Sequence, residues 1–99
     1  MRRNDVLHVL KQHLPVLRNR FGVLELAVFG SMARDEASDR SDIDVLVTFE
    51  AGARVGFFAL AELKEYLERV LSRPVDLLTP ASLDPRIRAR VLREAVRAG

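Results

Sequence analysis

Cysteine and tryptophan are absent from this 99-residue chain, and its aromatic residues are five Phe and one Tyr. Without cysteine, no disulfide staples the fold and no thiolate holds a metal. Only two histidines are present. His8 and His13 stand five residues apart, which keeps them off a common helical face and argues against an imidazole metal site. No apolar run approaches the roughly 20 residues of a membrane-spanning helix. The opening Met1-Arg2-Arg3-Asn4-Asp5 leads into no apolar core of a signal peptide. A cytoplasmic protein without membrane attachment is expected. An excess of one charge is missing too: 16 basic residues against 14 acidic ones leave a net charge of +2, too little to predict direct nucleic-acid binding.

What remains is aliphatic. Nearly half the residues (48%) are hydrophobic, so the length and composition predict one domain over residues 1–99, with a single sheet and a few helices. Within it, Leu24 to Phe29 is a short apolar run stopped by Gly30-Ser31, which predicts a buried strand ending at a tight turn. Ten residues later comes Asp42-Ile43-Asp44, opening a second apolar run to Phe49. Strand alternation puts Ile43, Val45, Val47 and Phe49 on one face and sets Asp42 and Asp44 side by side on the other. Two adjacent carboxylates repel each other and resist burial, and a divalent cation relieves both problems. An all-oxygen donor set favours Mg²⁺ or Mn²⁺ over Zn²⁺. Gly30 lets backbone approach a ligand closely. Ser31-Met32-Ala33-Arg34 can begin a short helix whose first amides favour phosphate. Arg34 and Arg40 are candidate phosphate contacts, with solvated surface as their plainer role. The loop is not a Walker A loop, because no Gly-Lys-Ser/Thr is present.

A third carboxylate follows from topology. Leu60, Leu63, Leu67, Val70 and Leu71 repeat at helical spacing and predict a helix over 57–71, followed by a strand over 74–79. A strand-helix-strand crossover makes its strands parallel, so Asp76 falls near the same sheet end as Asp42 and Asp44. There it is placed to bind metal and to help deprotonate an attacking hydroxyl. Its plainer role is a strand-end acid paired with Arg73.

The Gly-Ser, ten-residue, Asp-x-Asp pattern, with Val75-Asp76-Leu77 after it, resembles the DNA polymerase β-like nucleotidyltransferase superfamily. The wording around Gly30-Ser31-Met32-Ala33-Arg34-Asp35-Glu36-Ala37 is similar to its minimal (MNT) branch, and the resemblance spans nearly the whole chain. It implies an α/β (α+β) nucleotidyltransferase fold, a small mixed sheet of about three to four strands flanked by helices. It also implies ATP as donor, two Mg²⁺ ions, and AMP transfer to a tyrosine of a partner HEPN-domain ribonuclease toxin. Gly30 and Ser31 would hold phosphate, Asp42 and Asp44 metal, and Asp76 would complete the trio. Asp35 departs from the pattern, where relatives often carry Gly; Asp tolerates left-handed turns better than most residues. So small a domain has little room for an acceptor pocket, which a partner or a homodimer would supply. A non-catalytic antitoxin acting by steric complex formation and transfer to a small-molecule hydroxyl are the alternatives.

Elsewhere, Asn4 or Asp5 predicts a cap for a first helix ending at Gly22 and kinked or split at Pro15. Asp84-Pro85 predicts the start of a last helix with Ile87, Val91, Leu92, Ala95 and Val96 as its apolar face. The arginines of that helix suit a solvated face or a docking surface.

Overall fold

Val6, Leu10 and Leu17 recur at helical spacing and form the buried stripe of α1 (Arg3–Phe21). In the computed structural model, which describes residues 1–38 and 41–98, this helix opens earlier than its sequence suggests. Arg2 is the cap residue, and Asp5 lies inside the first turn, accepting the Arg2 backbone N–H at 2.9 Å. Pro15 does not split the helix. Leu10 and Leu17, both fully buried, hold the segments on either side of it against the core. Gly22 ends α1 in a left-handed conformation (φ 73°), its N–H donating to Arg18 O at 3.0 Å.

The chain continues through β1 (Val23–Phe29), α2 (Gly30–Ala33), β2 (Ile43–Phe49), α3 (Phe57–Leu71) and β3 (Val75–Leu78). A short 3₁₀ turn over Pro80–Ser82 precedes α4 (Pro85–Glu94) and β4 (Val96–Arg97). The strands lie in the order β3-β2-β1-β4. β2 and β3 pair parallel, as the α3 crossover requires, whereas β1 pairs antiparallel with β2 and β4.

Alternation divides the sheet into two apolar faces. Leu26, Val28, Ile43, Val45 and Val47 pack against α1 and α3. Ala27, Phe29 and Leu46 face Leu83 and Val91 of the α4 side. The second face has the smaller cover, because α4 is shorter than predicted and only partly buried. The helix stops at Glu94, and Val96 and Arg97 pair with Val28 and Ala27. Ile87 and Leu92 are 39% and 48% exposed, leaving Val91 as its buried anchor. A free β1 edge offered that last segment a ladder of hydrogen bonds, which outweighed one more helical turn. Asp84 caps α4 as expected, accepting the Arg86 N–H at 2.9 Å.

At the seam of α1 and α3, His13 Nδ1 and the Tyr66 hydroxyl are 2.7 Å apart, with their rings edge-to-face. Tyr66→Phe keeps the ring and deletes the bond. Its expected cost is about 1 kcal/mol, read as a lower urea midpoint at unchanged m-value. Phe57 and Phe58 pack edge-to-face on each other and lie outside the core, 81% and 82% exposed. Among the described residues, no helix is long and apolar enough to cross a membrane.

Candidate active site

β1 ends at Phe29, whose register partner is Asp44 on β2. The next residue, Gly30, turns the chain away from the sheet with φ 69°. A Cβ at that position would stand 2.2 Å from Asp44 Oδ2. Glycine is therefore demanded twice, by the backbone angle and by the carboxylate lying against its α-carbon. Ser31 follows within α2, a single turn closed by the Arg34 N–H on Gly30 O at 3.2 Å. The first amides of such a turn lack helical partners and face outward from its start. Asp35 continues in the left-handed region (φ 59°), a conformation that Asp tolerates better than most residues.

Asp44 and Asp76 are direct register partners across the parallel β2–β3 ladder. Adjacent strands lie about 4.8 Å apart. Both side chains alternate away from Ile43, Val45, Val75 and Leu77, onto the sheet face that α4 only partly covers. Asp42 precedes β2 and is exposed, while Asp44 is half-buried. Asp76 is exposed as well, despite its apolar flanks, because Val75 and Leu77 turn to the opposite face. Burial holds the Asp44 carboxyl above its usual range, and the charges of Asp76 and Asp42 push it further the same way. Arg34 pulls weakly in the opposite direction. The electrostatics thus tie the three acids into one group.

Among the described residues, the acids do not converge into a ready-made metal cage. Their chemistry nevertheless fits a hard divalent cation. They are oxygen donors that repel one another, and no hydrogen bond contributes to the Asp44 shift.

The structure also settles the neighbours. Arg34 is exposed and paired with Glu36 at 3.1 Å and Glu94 of α4 at 3.3 Å. Arg40 lies outside the described residues. Arg73 does not pair with Asp76; its guanidinium donates to the backbone carbonyls of Ser38 and Ser41 instead. Sequence reasoning missed this role, together with Glu94 as the anchor of Arg34 and Glu68, which accepts the Val75 N–H at 2.9 Å. The one signal for Arg73 was a cation placed directly before Pro74-Val75-Asp76.

The mixed four-stranded sheet and its helices match the nucleotidyltransferase fold. Residues 10–98 match the nucleotidyltransferase domain family, and the chain belongs to it. It is 46% identical to the protein adenylyltransferase MntA of Thermococcus cleftensis over 92 residues, covering 93% of this chain and 91% of that relative. A solved structure assigned to the minimal nucleotidyltransferases superposes with a TM-score of 0.78 at 40% identity, covering 97% of this chain and 95% of the other. Two toxin–antitoxin complexes share the fold at 21% identity each. One, with AMP-PNP, gives a TM-score of 0.69 and covers 100% of this chain and 73% of that one. The other, a tri-AMPylated Shewanella oneidensis HEPN toxin with its MNT antitoxin, gives 0.59 and covers 98% of this chain and 68% of that one.

Proposed function

We propose that this domain, residues 1–99 as one unit, transfers AMP from ATP to a tyrosine hydroxyl of a HEPN-type toxin and thereby neutralises it. The observation behind this reading is the register pair Asp44–Asp76 beside the Gly30 turn, with the Asp44 carboxyl raised by burial and by its acidic neighbours. The Thermococcus relative, named a protein adenylyltransferase, and the tri-AMPylated toxin of the Shewanella complex support the reaction and the acceptor class. The complex with AMP-PNP supports an adenine nucleotide as donor. A cytoplasmic setting goes with that donor.

In this reading Gly30 and Ser31 present backbone and hydroxyl to the triphosphate. Asp42, Asp44 and Asp76 would hold Mg²⁺, two ions in the full arrangement, which on binding supplies charge neutralisation at phosphorus. Asp76, the exposed member of the register pair, takes the proton of the acceptor hydroxyl. The hydroxyl oxygen bonds to the α-phosphorus, the bond to the bridging oxygen breaks, and pyrophosphate leaves. Arg34, released from Glu36 and Glu94, reaches the departing phosphates. Among the described residues, the face around Asp44 and Asp76 is covered only in part, by Leu83 and Val91, so the acceptor arrives on the partner chain; a second copy of this chain is not required.

Incubation with Mg²⁺, α-labelled ATP and a HEPN-type toxin tests the proposal. Label on a toxin tyrosine, with loss of ribonuclease activity, is the expected result. A tight complex that silences the toxin without label would replace transfer by steric inhibition.

A further inference from the structure

Arg73 lies three residues before Asp76 and reaches back across the sheet end. Its Nη2 donates to Ser38 O at 2.8 Å and also to Ser41 O. Ser38 and Ser41 are also bonded to each other: the Ser41 N–H donates to Ser38 O at 3.1 Å, and the Ser38 N–H donates to Ser41 Oγ at 3.1 Å. The next bond along is between the Ile43 N–H and Pro74 O, at 2.9 Å. Asp42 therefore sits between two attachments to one dipeptide, Ser41 to Arg73 and Ile43 to Pro74. Its own side chain is exposed, so the backbone on either side sets where its carboxylate points.

The surroundings of Arg73 do not suit an ordinary surface ion pair. Among the described residues its Nε is buried without a hydrogen-bond partner, and the groups its guanidinium meets there are carbonyls. Withdrawing a charged group from water with one donor unmet is costly. A planar fork that grips two carbonyls at once gains rigidity that a flexible point charge does not.

We propose that Arg73 is a positioning residue: by clamping the Ser38 and Ser41 carbonyls to the start of β3, it fixes Asp42 relative to Asp44 and Asp76. The proposal deepens the adenylyl-transfer reading and rests on it for its catalytic consequence. Groups that orient metal-binding side chains typically change activity by about 10–100-fold when removed.

The test compares native protein with Arg73→Met and Arg73→Lys, using amide exchange of Ser38, Ser41 and Asp42 in the free protein and the kcat and KM of AMP transfer. The methionine variant is expected to exchange faster at these amides and to lose about 10–100-fold in kcat with little change in the KM for ATP. Lysine keeps charge and donors and is expected to recover part of both. Native exchange and native kcat per folded molecule in the methionine variant would overturn the proposal, even if its melting temperature fell. Should that variant not fold, Arg73→Gln, with one amide donor left, answers through the same two readouts. If the native protein transfers no AMP, the reaction reading fails, while the exchange comparison still decides whether Arg73 holds the segment.

Discussion

Gly30→Ala lowers stability by about 2–5 kcal/mol and removes nearly all AMP transfer. The first part of the loss is the left-handed backbone, which costs an L-residue about 1–2 kcal/mol. The second is the methyl carbon itself, placed 2.2 Å from Asp44 Oδ2, so that either the turn or the carboxylate must move. Overpacking of that kind costs about 1–3 kcal/mol. Either movement separates the proposed phosphate turn from the acid proposed to bind metal, and an ångström of misplacement can cost about a hundredfold in rate. Gly56→Ala is the control: its φ is −91° and nothing lies within 4 Å of an added Cβ, so stability and activity should hold. Chemical denaturation and label transfer on both variants check the contrast. Adding Asp44→Ala to Gly30→Ala should restore part of the stability but none of the activity, because it removes the clash and the ligand together.

Asp44→Asn should separate function from stability in opposite directions. Transfer is expected to fall by about a thousandfold, the scale set by removing a group that stabilises transition-state charge. The metal-free protein should nevertheless melt at a higher temperature. The Asp44 carboxyl titrates above its usual value because burial disfavours its charge and because Asp76 and Asp42 repel it. Below the unfolded pKa the acid is protonated in both states and costs nothing. As pH rises through the folded pKa, the unfolded state ionises more readily and native stability drops. Melting in EDTA at pH about 3 and about 7 reads this directly. The two proteins should differ little at the acid end, and the variant should be the more stable at neutrality. An equal or lower melting temperature for the variant at neutrality would mean that the repulsion is relieved by solvent.

Much of this site was legible because its parts are local. Strand alternation and a helical crossover that forces β2 and β3 parallel placed Asp76 near the sheet end of Asp42 and Asp44, and the structure sharpens this to a direct register pair of Asp44 with Asp76. The α3 limits, Phe57 and Leu71, coincide with the predicted range for the same reason. What escaped was non-local. β4 is a two-residue strand whose existence depends on the open edge of β1, far away in sequence. Pro15 inside α1 is tolerated because of tertiary packing that propensity does not register. Pairing with Arg73 was the plainer alternative for Asp76. Only the folded loop presents the two carbonyls that Arg73 takes instead. Asp76 is exposed although its neighbours in sequence are apolar, because those neighbours turn to the opposite face.

β3 is the outer strand of the sheet, bonded to β2 on one side and to no strand on the other. An outer strand of this kind is a template for a second molecule's strand, and proteins blunt it with brevity, proline and charge. β3 has all three: four residues, Pro74 before it, and Asp76 within it. Without that acid the edge would read Val75, Leu77 and Leu78 as an unguarded aliphatic run. The carboxylate proposed for proton transfer thus also places a charge on the edge that brevity and Pro74 already blunt.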